Sequence, residues 1–162
     1  MLDSLALAAE LVARARPDVA RPAEQLLASL ERRAVGAAAT VFLHGDLHPK
    51  NALLSPSGRI GLIDFDQAAP GNPAADVGGL LAGLRYDAVV GRVAPAAAER
   101  LSAAFLAGYR ALRELPGEAE LRWHVAAALL AERALRAVNR VREPGLRRLP
   151  AVLADAREVL DG

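Results

Sequence analysis

Up to Ala34 the apolar residues of this chain recur at helical spacing; from Thr40 to Ile63 they do not. Leu5, Ala8, Ala9 and Val12 share one face of a predicted helix over residues 3–16, which Pro17 ends. Pro22 suits the first turn of a second helix reaching Ala34, with Leu26, Leu27 and Leu30 as its stripe. Gly36 and the small residues after it close that helix. Then the period changes. Thr40 to Leu43 is short, β-branched and apolar, Asn51 to Leu54 and Arg59 to Ile63 are two further short strands, and the turn cluster Ser55-Pro56-Ser57-Gly58 joins the last two as a hairpin. A chain that folds this way must build helices around a small β insert.

Downstream, Ala68 to Pro73 reads as a loop, and helices are expected over 74–84, 95–115, 118–141 and 149–160, with Pro116-Gly117 and Pro144-Gly145 as breaks. The expected fold class is mainly α with a small β-hairpin (α+β). The 162 residues suit one domain. It divides into leading helices (1–39), the strand and loop region (40–66) and a helical subdomain (67–162).

Composition removes several classes of function. Hydrophobic residues make up 53% of the chain, many of them alanine, so the core is expected to pack helices closely through small side chains. Aromatics are 4% and the net charge is +1, which leaves neither a stacking platform nor a basic field for nucleic acid. There is no cysteine, hence no disulfide or thiolate metal site. The first residues lack a basic n-region, and Asp3, Glu10 and Arg14 interrupt their apolar stretch, so neither a signal peptide nor a membrane span is expected. The expected location is cytoplasmic.

The chemistry-bearing residues cluster around the β insert. His44-Gly45-Asp46-Leu47-His48-Pro49-Lys50-Asn51 follows the first strand, and Ile63-Asp64-Phe65-Asp66 follows the hairpin. Asp46 and Asn51 lie five apart in one loop, a spacing that lets a carboxylate face a nucleophile while an amide oxygen turns toward a metal. Asp64 enters from the neighbouring strand and can reach the same ion. Hard oxygen donors of this kind suit Mg²⁺ rather than zinc.

The order H-G-D-L-H-P-x-N, hairpin, I-D-F-D and G-N-P-A-x-D-V resembles the C-terminal lobe of aminoglycoside phosphotransferase and choline kinase-like enzymes, distant relatives of protein kinases. The motifs cover about residues 40–82. The resemblance implies the C-terminal lobe of a protein kinase-like fold. It implies a reaction that moves the γ-phosphate of ATP or GTP to a hydroxyl of a small molecule, with Mg²⁺ as cofactor. It makes Asp46 the catalytic base and Asn51 and Asp64 the metal ligands. Asp76, in the third motif, becomes a structural carboxylate at a helix start that accepts N–H bonds from the catalytic loop. His44 is read as structural, packed behind that loop. His48 has two readings, an approach to the transferring phosphate or the orientation of the loop. Asp66 binds a second metal or points to solvent. Lys50 contacts a phosphate or is an exposed loop lysine. His124, beside Trp123, is a packing or surface residue, or lines the acceptor pocket.

Complete kinases of this type add an N-terminal lobe with a glycine-rich loop and a strand lysine. This chain has no G-x-G, and its one lysine, Lys50, lies in the catalytic loop. The sequence is thus expected to be a C-terminal lobe alone, with its nucleotide face uncovered and apolar near Leu53, Leu62, Ile63 and Phe65. That face then pairs with a separately encoded N-lobe or with a second copy. The alternative to an enzyme is a non-catalytic remnant that binds a ligand or partner; neither nucleic acid nor membrane is an expected partner. Residues 91–162 carry 12 basic and 9 acidic side chains, net +3, which argues against a polycationic aminoglycoside as acceptor. Sugars, amino alcohols, homoserine-like compounds and macrolides stay open.

Overall fold

The computed structural model describes residues 1–34, 36, 40–141 and 143–162. Seven α-helices among them are α1 (Leu2–Ala15), α2 (Ala20–Arg32), α3 (Pro73–Val89), α4 (Pro95–Leu112), α5 (Glu118–Ala128), α6 (Leu135–Asn139) and α7 (Glu143–Asp161). The strands are β1 (Val41–Leu43), β2 (Ala52–Leu54), β3 (Ile60–Leu62) and β4 (Ala69–Gly71). None of the helices is long and apolar enough to cross a membrane. The residues expected to close α2 lie, apart from Gly36, outside the described set.

The core is helix on helix. Leu5 and Val12 of α1, Leu26 and Leu30 of α2, and Leu149 and Leu153 of α7 are fully or almost fully buried. Ala8, Ala23, Ala126, Ala134 and Ala156 are fully covered as well, so helix axes approach closely where alanine replaces a branched side chain. Gly78 serves the same end: a Cβ there would lie 2.8 Å from His124 Cβ, which lets α3 press against α5. Trp123 sits in this core and satisfies its ring N–H on the Leu30 carbonyl at 2.8 Å, near the end of α2. His124 is buried beside it, and burial lowers its pKa from the ordinary 6.5.

The hairpin forms as expected: β2 pairs antiparallel with β3, Ala52 opposite Leu62 and Leu54 opposite Ile60. Gly58 takes φ +78° in its turn, which a residue with a Cβ rarely adopts. Four expectations need correction. The loop expected over 68–73 contains β4, which pairs with β1, Val41 opposite Gly71. Pro70 is tolerated because this two-stranded sheet leaves its outer edge free of ladder bonds. Helix α3 runs past Leu84 to Val89. The single helix expected over 118–141 is interrupted by a π-helical segment, Leu129–Ala134. Helix α7 begins at Glu143, six residues before Leu149, with Pro150 inside it. Proline removes the N–H that the Leu146 carbonyl should receive. Arg16 Nη1 donates to that carbonyl instead, at 2.5 Å, so the helix continues.

Candidate active site

The loop between β1 and β2 is held from behind by one carboxylate. Asp76, in the first turn of α3, accepts the His44 N–H through Oδ2 at 2.6 Å and the Gly45 N–H through Oδ1 at 3.0 Å. The cap of α3 is not Asp76 but Asn72, whose Oδ1 accepts the Ala74 N–H at 2.9 Å and whose amide donates to Glu120 at 2.6 Å. Asp76 is thereby left free for the loop. Gly45 takes φ +83°, and a Cβ there would meet the Gln67 carbonyl oxygen at 2.1 Å. Only glycine lets the loop lie this close to the segment after Asp66.

His44 ties the same loop to the end of β3. Its Nε2–H donates to the Ile63 carbonyl at 2.9 Å, which leaves Nδ1 to face the Asp46 N–H at 3.4 Å. The ring is buried and packs 4.6 Å from the ring of Phe65. Ile63 is pinned at both ends, because its own N–H donates to the Asn51 carbonyl at 3.0 Å. Asp64 follows directly and takes φ +66°, a left-handed conformation that aspartate tolerates better than most residues. The backbones of Asn51 and Ile63–Asp64 are therefore adjacent.

Asn51 is buried, and its amide nitrogen donates to the Asp46 carbonyl at 3.0 Å. That leaves its side-chain oxygen as the atom free for a cation. Asp64 and Asp66 are exposed. Among the described residues no three His, Cys, Asp or Glu side chains are gathered to hold a metal unaided. An amide oxygen and two carboxylates fit Mg²⁺, which commonly takes one or two carboxylates plus substrate phosphates.

The Asp46 side chain is 29% exposed and points to His48, whose Nε2 lies 3.5 Å from Oδ2. His48 Nδ1 accepts the Lys50 N–H at 3.2 Å, so the proton of a neutral ring sits on Nε2, facing Asp46. Asp46, His48 and Lys50 together line a cleft of about 460 Å³. Asn51, Asp64 and Asp66 do not line it; they lie toward the hairpin. The far wall comes from residues that local sequence reading missed. They are Glu132 and Arg133 in the π-helical segment, and Arg136 and Arg140 at α6. Two adjacent charges in the otherwise apolar run Val125 to Ala134 were the available signal. His124 does not line this cleft.

Glu132 is the perturbed acid here. Burial raises its pKa from the ordinary 4.5, Arg133 and Arg136 oppose that shift, and the charges of Asp46 and Asp76 add to it. A carboxyl with a raised folded pKa favours folding below its unfolded value and loses that contribution as pH rises through the folded value. Glu132→Gln is therefore expected to raise the thermal midpoint at pH 7, with the gain shrinking toward pH 4. Midpoints measured across pH 4–8 check this; a gain that grows on acidification contradicts it.

The hairpin exposes apolar side chains on both faces. Leu54 and Ile60, opposite one another, are each at least 70% exposed and share a face with Leu62, while Leu53 lies on the other; Phe42 on β1 and Ile63 and Phe65 after β3 are exposed as well.

Comparison with known proteins identifies the family. The family model described as "Phosphotransferase enzyme family" matches residues 2–115. An uncharacterized protein of Deinococcus radiodurans is 41% identical over 64 residues, 38% of this chain and 19% of its own length. The N-acetylmuramate/N-acetylglucosamine kinase of Caulobacter vibrioides is 39% identical over 95 residues, 51% of this chain and 26% of its own. The matched stretches thus span about a fifth to a quarter of those relatives. With the family model covering well over half of its residues, the chain belongs to the phosphotransferase enzyme family.

Proposed function

We propose that this chain is the C-terminal, catalytic lobe of a small-molecule kinase that transfers the γ-phosphate of ATP or GTP to an acceptor hydroxyl. The observation that carries the reading is the placement of Asp46. Its carboxylate lines an open cleft while its loop is held from behind by Asp76 and His44. Asp46 accepts the proton of the acceptor hydroxyl as that oxygen bonds to the γ-phosphorus. The bond from phosphorus to the β-phosphate oxygen breaks, and the nucleoside diphosphate leaves. His48 turns its Nε2–H toward the Asp46 carboxylate from 3.5 Å, and Lys50 faces the phosphates. Asn51 and Asp64 would hold Mg²⁺, with Asp66 available as a further ligand. When bound, that ion neutralises phosphate charge. The glycine-rich loop and the strand lysine come from a lobe outside these 162 residues, and the apolar hairpin face around Leu54 and Ile60 is where it docks. By this reading the chain alone binds Mg-ATP weakly. That exposed face also supports a second reading, a partner-binding module without catalysis.

The amino sugars in the name of the Caulobacter relative are the first acceptors to try. With [γ-³²P]ATP and Mg²⁺, the chain is expected to label a sugar hydroxyl, faster when a glycine-rich lobe is supplied. No labelled ester from any neutral, cationic or anionic hydroxyl compound, with that lobe present, overturns the kinase reading and leaves the partner-binding module.

A further inference from the structure

The cleft beside Asp46 has an unusual balance of charge for a site that must admit an alcohol. Five of its wall residues are cationic and three are acidic. Arg92 is spent on Asp87, at 2.9 Å, and Arg133 lies 3.6 Å from Glu132. Lys50, Arg136 and Arg140 make no ion pair among the described residues, although Arg136 lies one turn beyond Glu132 and feels its charge. Setting the two pairs aside leaves three cations facing one carboxylate, Asp46. Arginines near a helix C-terminus are often explained by the helix dipole alone. Two facts go beyond that explanation. Arg133, Arg136 and Arg140 follow one another at spacings of three and four, one stripe of a helical surface, and all three line the cleft that holds Asp46. Arg133 Nε is also a buried donor with no partner, the one such side-chain atom among the described residues, and a donor of this kind calls for an acceptor atom.

We propose that this cleft takes an acceptor bearing an anionic oxygen group, a carboxylate or a phosphate ester, which Arg136 and Arg140 hold while the acceptor's hydroxyl meets Asp46. The inference rests on the kinase reading and names its substrate class. A planar guanidinium pair recognises an oxyanion through charge-assisted bonds in fixed directions, whereas an aminoglycoside would meet like charge. Lys50 lies on the same cleft and adds to the field without the directional fork.

The test is direct binding to the full chain, read by ligand-observed NMR at low salt. Two neutral sugars, D-glucose and N-acetylglucosamine, are compared with their charged counterparts. These are D-glucuronate, D-glucose 6-phosphate, N-acetylmuramate and, for the opposite sign, D-glucosamine. An anionic member is expected to bind roughly tenfold or more tighter than its neutral parent, the size of one charge-assisted contact. That advantage is expected to fall with added salt and to vanish in Arg136→Gln/Arg140→Gln. Arg140 is exposed and Arg136 half-buried, and a kept thermal midpoint of the double variant confirms that the fold is kept. ATP affinity should stay within about twofold in the same variants, because on this proposal the two arginines meet the acceptor and not the nucleotide. The proposal is overturned if neutral or cationic members bind as well as anionic ones, if nothing in the panel binds, or if the preference survives both substitutions. It is overturned equally if ATP affinity falls with the arginines, because they would then serve the nucleotide. Loss of transfer in the labelling assay, with this binding pattern intact, counts against the kinase reading alone.

Discussion

Asp46→Ala should lower kcat for phosphoryl transfer by about three orders of magnitude while leaving the thermal midpoint where it is. The kinetic half follows from its place on the cleft wall and from the role of base proposed for it. The stability half follows from what its side chain does not do. Among the described residues its one polar contact is His48 Nε2 at 3.5 Å, too long to anchor the loop. The loop bonds at this position, the N–H toward His44 and the carbonyl from Asn51, belong to the backbone and survive the change. Removing the charge also relieves repulsion with Glu132, the acid that the field of Asp46 reaches, so a slight gain in stability is the expected sign. An assay of kcat beside a melting curve decides it. A variant that loses its fold with its activity would mean that Asp46 supports the loop and is not its reactive end.

Asp76→Ala should do the reverse, lowering the midpoint first. Two backbone donors, on His44 and Gly45, lose their acceptors at once. Leaving the buried His44 donor unmet costs about 1–3 kcal/mol, while the exposed Gly45 N–H turns to water. For a chain of this size that is a fall of roughly 3–10 °C. Relief of repulsion with Glu132 offsets part of it. Asp76→Asn keeps one acceptor oxygen and should recover about half of the loss. Amide exchange should speed up at His44 and Gly45 before it does in α3, because Asn72 rather than Asp76 caps that helix. A midpoint unchanged in Asp76→Ala would show that the loop is held by other means.

These predictions turn on residues that the sequence marked out, and the reason is local. Strand, loop, hairpin and second loop fall within 27 consecutive residues, 40–66, so type, order and spacing place them before any tertiary contact is known. The hairpin was legible because Ser55-Pro56-Ser57-Gly58 carries its turn chemistry in the residues themselves. What could not be read depends on distant partners. Ala69-Pro70-Gly71 has every mark of a loop and becomes a strand because β1, almost thirty residues earlier, lies alongside it. Helix α7 passes through Pro150 because Arg16, from the other end of the chain, fills the carbonyl that proline strands. The far wall of the cleft is invisible for the same cause. Glu132, Arg136 and Arg140 look like the polar face of a helix, and only packing turns that face toward Asp46. The π-helical segment that carries Glu132 and Arg133 shifts the helical register there, and such segments recur at functional sites.

The reading stands on one claim, that Asp46, Asn51 and Asp64, from three different segments, serve a single phosphoryl-transfer centre. The kcat of Asp46→Ala/Asp64→Ala, set against the two single variants in the labelling assay, addresses it directly. Residues that act as a unit are strongly non-additive, so the double variant should be no more than about tenfold slower than the worse single variant. If instead the two losses multiply, as they do for independent sites, Asp46 and Asp64 do not share a centre and the site has been assembled from unrelated carboxylates.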